Sequence, residues 1–227
     1  MLRIKQFYLE EWKWFKTKFL KLFIIIFIIF ILTILISHFI FIKNPERLQK
    51  ISALVAEGPL KENPVLERSI QLCLSLFFNN SIVTLVTIIF GFIPFLFLSM
   101  LGALRIGALV GLMTSIASVN GFKVWQVLLF SFAPHGIFEL PAMVYATSIG
   151  VHLCLQISKK ILNLERDELI VLFSKKNQDY GSEDQISLFK RALKTWLGVI
   201  VPLLIVAAII EAFITPFSFL SKIFLGQ

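Results

Sequence analysis

Charge is what this chain of 227 residues most lacks: only 16% of it is Asp, Glu, Lys or Arg, against about 25% in a soluble globular domain. So little charge cannot cover a water-facing surface, which excludes an ordinary soluble domain. Cysteine is scarce too. Cys73 and Cys154 stand alone in apolar runs without a paired spacing, which argues against disulfide, zinc and redox motifs. The chain has no GxSxG elbow, no GxxxxGK[ST] phosphate loop, no Rossmann glycine pattern and no HExxH. A non-enzymatic protein without cofactor or metal is therefore expected. The segment between Lys159 and Lys194 sets six acids beside its eight bases, which disfavours nucleic acid and suits anionic lipid head groups.

What the chain has is apolar sequence, 57% of its residues. At about 20 residues per crossing, the expected class is an all-α, polytopic membrane protein of about five transmembrane helices plus a re-entrant or interfacial half-helix. A basic, aromatic leader (1–21) precedes a first span over 22–42, too long and too poor in small residues for a cleaved signal. Residues 43–80 read as a loop that ends in an interfacial helix, divided by Asn79-Asn80 from a second span over 81–101 that Pro94 should bend. The third span covers 104–119. Residues 122–136 are too short to cross and read as a half-helix ending at the Pro134-His135-Gly136 break, before a fourth span over 137–158. An amphipathic segment (159–194), a fifth span (195–215) and a tail (216–227) complete the chain.

Two of these helices carry small residues every fourth position: Ala103, Gly107, Gly111 and Ser115 on the third, and Ala142, Ala146, Gly150 and Cys154 on the fourth. Such stripes let helix backbones approach closely, so the third and fourth spans are expected to pack on each other. With the amino terminus cytoplasmic, the inner segments hold fifteen of the 22 Lys and Arg and the outer segments seven, as the positive-inside rule requires of an odd number of spans.

Ionisable groups inside spans are costly, about 2.5–3.5 kcal/mol each at the helix centre on insertion scales. Two acids fall within the proposed spans, Glu139 and Glu211, and both lie toward the outer ends of their helices, as do His38, Asn79, Asn80 and His135. Asn80, His135, Glu139 and Glu211 form the candidate polar cluster. One reading makes them caps and helix glue; another makes them a pocket reached from outside. A metal site is disfavoured by spacing, because one His and two separated Glu give no tight ligand motif.

Four stretches in order along the chain carry a family likeness: Asn79-Asn80; Arg105-Ile-Gly107-Ala-Leu-Val-Gly111; Ala133-Pro-His-Gly-Ile-Phe-Glu139-Leu-Pro-Ala142; and Ile210-Glu211-Ala-Phe-Ile-Thr215-Pro216. Together they resemble the stage II sporulation protein M family. The resemblance implies a multi-pass protein of the bacterial plasma membrane. In spore formers, such a protein is thought to scaffold peptidoglycan hydrolases during engulfment; members also occur outside spore formers. Expected partners are membrane lipids and such envelope proteins. Self-association into a homo-oligomer is left open, and a permease or lipid-handling transporter using the outer polar cluster is the alternative.

Overall fold

The computed structural model describes residues 2–44, 46, 48, 65–162 and 185–214. The loop expected within 43–68, the charged part of 159–194 and the tail 216–227 lie largely or wholly outside the described residues. Among those described, the chain is helical apart from short turns and connections such as 93–99 and 120–123, and has no strand. The helices are α1 (Leu2–Trp14), α2 (Leu20–Ile42), α3 (Val65–Ile89), α4 (Met100–Val119), α5 (Val124–Val127), α6 (Ala133–Leu162), α7 (Gln185–Thr195) and α8 (Val201–Phe213). Five continuous stretches are long and apolar enough to cross a membrane: Arg3–Ile42, Ser69–Phe92, Met100–Val119, Ala133–Lys159 and Ser187–Phe213. The protein is a multi-span, all-helical membrane protein.

The expected breaks are the main correction. Single π-helical turns, Phe15–Phe19, Leu128–Phe132 and Trp196–Ile200, join α1 to α2, α5 to α6 and α7 to α8. The leader, the half-helix over 122–136 and the amphipathic segment before 195 therefore run on into the spans that follow. Pro134 and Pro202 each come just after such a turn. A proline removes one N–H and clashes with the carbonyl four residues back, and a locally widened turn accommodates both without ending the helix. Asn79-Asn80 likewise divides nothing, since α3 passes through it. The actual stop is at Pro94: Ile93 is extended (φ −90°, ψ 106°), as the residue before proline prefers. The second span is thus Ser69–Phe92 rather than 81–101, and the third begins at Met100 rather than 104. Between them Phe95 and Phe97 adopt left-handed φ values of 66° and 47°. The Phe95 N–H donates to Ser158 Oγ at 3.0 Å, and the Cys154 thiol donates to the Ile93 carbonyl at 3.4 Å.

The chain divides into two compact units. The first comprises 1–28, 83–103 and 142–201. Its core holds Leu22, Ile26, Ala103, Val144 and Val151, edged by Phe23, Met100 and Leu155. Leu22 and Ile26 are four residues apart on one face of α2, and Phe30 continues that buried stripe, while Ile24, Ile28, Leu32 and Phe39 on the other faces stay exposed, as lipid-facing positions would. Ala142 and Ala146 are fully buried. The stripe they begin brings α3 very close: a Cβ on Gly150 would lie 2.6 Å from the Thr87 carbonyl oxygen, and one on Gly91 would lie 2.7 Å from Gly150 Cα.

Ala103, at the head of the α4 stripe, shares the first unit's core with Val144 and Val151 of α6, as the expected packing of the third span on the fourth requires. The second unit comprises 29–82, 104–141 and 202–227, and there the two glycines of the stripe meet the first span instead. Gly107 faces Phe30 and Thr33, and Gly111 faces Ile34, Ser37 and His38. The glycines of α4 thus seat the first span. Polar contacts fasten the same seam: Ser37 Oγ donates to the Ala108 carbonyl at 3.2 Å, Ser115 Oγ to the His38 carbonyl at 3.0 Å, and His38 Nδ1 lies 2.9 Å from Thr114 Oγ1. A Cβ at Gly111 would fall 2.6 Å from the Ile34 carbonyl oxygen, and backbone cannot step aside as a side-chain end can. Gly111→Leu should therefore cut the amount of folded protein recovered in detergent and lower its thermal midpoint. Full recovery at an unchanged midpoint would refute the close seam.

Candidate functional site

Asn80, His135, Glu139 and Glu211 all belong to the second unit, and the fold brings them together. The π-turn Leu128–Phe132 carries the helix into α6 and past Pro134. The helix therefore extends back through His135, which then shares a face with Glu139 four residues on. Glu211 comes from α8 and Asn80 from α3. A ring nitrogen of His135 and one oxygen each of Glu139 and Glu211 lie within 4.8 Å of one another. Asn80 Nδ2 donates to Glu139 Oε1 at 3.0 Å, and Asn79 Nδ2 donates to Asn80 Oδ1 at 3.2 Å. This relay explains how the pair sits inside a helix: it orients a carboxylate.

His135 is buried, 8% exposed, with Nδ1 lacking a hydrogen-bond partner. Its ring stands edge-on to Phe132 at 5.5 Å between centroids, so an aromatic wall lies on one side of the imidazole. Glu139 and Glu211 are partly buried. Three helices thus supply two carboxylates, one imidazole and one orienting amide. Such a set can bind a cation or a basic side chain, or move a proton; no Ser, Thr or Cys nucleophile belongs to it.

A family model described as SpoIIM, stage II sporulation protein M, matches residues 24–216. The chain belongs to the stage II sporulation protein M family. The matched residues take in all four members of the cluster and both small-residue stripes. Searches of curated proteins and of solved structures found no match.

This SpoIIM-family chain also has a polar group that sequence reasoning missed, in the first unit. The count of acids considered only the spans, but the first long helix begins at Arg3 and carries Glu10 and Glu11 ahead of its apolar run. Glu11 is buried, 4% exposed, and accepts a hydrogen bond from Thr195 Oγ1 at 2.7 Å; Arg191 stands 4.0 Å away. The Arg191 guanidinium lies 4.5 Å over the Trp14 ring. Tyr8 donates to the Gly198 carbonyl at 3.0 Å; Gly198 lies in a π-turn, where backbone carbonyls lose their regular helical partners. Trp196 Nε1 donates to Thr84 Oγ1 at 3.0 Å. These contacts zip the first helix and α3 to the α7 end of the last one. The available signal was an acid in an otherwise basic leader opposite the amphipathic face of 185–196. Glu11 of the first unit is thus paired across helices, whereas the second unit gathers two acids beside an imidazole.

Proposed function

We propose that this protein is a non-enzymatic scaffold of the bacterial plasma membrane that holds peptidoglycan-remodelling partners at the outer face. The observation that carries the reading is the family match over residues 24–216. The five apolar stretches support it in kind, since a scaffold needs anchoring and presentation rather than a reaction centre. Peptidoglycan turnover in cells lacking the chain tests it. Slower release of wall fragments, restored by the wild-type chain, is the expected result, and unchanged turnover would contradict the scaffold.

The cluster around Glu139 favours a second reading, a permease or lipid-handling protein, because buried ionisable groups within spans commonly mark substrate paths. Uptake by reconstituted vesicles that depends on Glu139 and Glu211 would select it.

The orientation belongs to the proposal as well. With fifteen basic residues on one side and seven on the other, the amino terminus is cytoplasmic and the carboxyl terminus outside. A reporter fused after Gln227 should be active outside, and one inserted near Gln178 inside. Both on one side would remove the five-span topology.

A further inference from the structure

We propose that His135, Glu139 and Glu211 form a binding site for one divalent transition-metal ion of the zinc type. Spacing along the chain disfavours such a site, but the fold supplies what spacing lacks. Two ligand groups share one face of α6 and the third arrives from α8, with all three ligand atoms within 4.8 Å. Tetrahedral coordination with bonds of 2.0–2.1 Å would place ligand atoms about 3.3 Å apart, so modest side-chain rotations close the set.

Two further observations point the same way. The His135 ring is more than nine-tenths buried, and its Nδ1 has no hydrogen-bond partner. Buried polar atoms are seldom left so, and an imidazole nitrogen is a strong ligand for zinc-type ions and a poor one for Mg²⁺ or Ca²⁺. Asn80 holds Glu139 by a hydrogen bond at 3.0 Å, the kind of outer support that ligating carboxylates receive. Charge agrees with this assignment: two carboxylates and a neutral imidazole carry −2, which one divalent ion cancels inside a span where uncompensated charge is costly. The ion would fasten α8 to α6 through Glu211. The site does not rest on the scaffold reading, and either can fail without the other.

The full chain, purified without a polyhistidine tag in lipid nanodiscs and stripped with chelator, should take up about one Zn²⁺ per chain and gain thermal stability on Zn²⁺ addition but not on Mg²⁺. With Co²⁺ as probe, it should show the visible absorption of low-symmetry coordination. Glu139→Gln, Glu211→Gln and His135→Gln should each weaken Zn²⁺ binding by well over tenfold, and Asn80→Ala by about 10–100-fold. If a variant does not fold, wild-type stoichiometry and the Co²⁺ spectrum still decide. A wild-type chain that takes up no Zn²⁺ and shows no Co²⁺ band would overturn the site, leaving shared protons to balance the carboxylates. Zn²⁺ held equally well by the three folded ligand variants would also overturn it, by placing the ion elsewhere.

Discussion

Gly91→Ala and Gly150→Ala should each strip most of the folded protein from the membrane. At Gly91 the added methyl would lie 2.7 Å from Gly150 Cα and 2.8 Å from its carbonyl carbon; at Gly150 it would lie 2.6 Å from the Thr87 carbonyl oxygen and 2.7 Å from Ser99 Cβ. The Ser99 hydroxyl beside Gly150 can turn away, but the Thr87 carbonyl and the Gly150 backbone cannot, so relief requires the backbones to separate. Overpacking of this kind costs about 3 kcal/mol or more at the upper end of its range. For a protein of this size that is a fall of roughly 6–12 °C in thermal midpoint. Membrane abundance and melting in detergent read the effect directly. Either variant behaving as wild type would show that α3 and α6 do not touch at these glycines. Gly121→Ala is the contrasting case: Gly121 has a φ of +80° but nothing within 4 Å of its Cβ position, so the backbone strain of about 1 kcal/mol is all that is expected.

Glu139→Gln and Glu211→Gln should abolish function while leaving protein levels intact. The amide keeps the size of the carboxylate and removes a charge that is costly inside a span, so insertion and accumulation do not suffer. What it removes is the capacity to bind a cation, whether metal ion or basic side chain. If these residues only glued helices together, the amides would substitute for them and function would persist. Membrane abundance must therefore be read beside wall turnover or partner recovery in the same cells. Normal function in both variants would show that the cluster takes no part in that function, whereas loss of the protein itself would assign it to structure.

Composition made the helical class and the five crossings legible, because apolar runs of span length leave few alternatives in a chain so poor in charge. Helix continuity was less legible. Pro134, Pro202 and Asn79-Asn80 are punctuation in water-soluble sequence, but in this chain π-turns absorb the prolines, and the Asn79 amide donates to Asn80, whose own amide donates to Glu139. Among the described prolines only Pro94 acts as a stop, and nothing in its immediate neighbours distinguishes it from the others. The individual members of the cluster stood out as ionisable or polar groups in apolar runs. Their convergence did not, since Glu211 lies 72 residues after Glu139 in the chain and only the packing of α8 brings it near. The glycine stripe of α4 announced a close contact without naming its partner, and both the first span and the fourth were compatible with it. Glu11 was hidden by its setting among basic and aromatic residues, where it read as part of an interfacial leader.

Crosslinking in intact cells, followed by affinity purification of the chain from native membranes, tests the scaffold most directly. The account predicts that peptidoglycan hydrolases are recovered with the wild-type chain, in contact with its outer segments, and that they are lost with Glu139→Gln or Glu211→Gln at equal abundance of the chain. Recovery of the chain with no envelope enzyme attached, in cells where those enzymes are present and active, would contradict it.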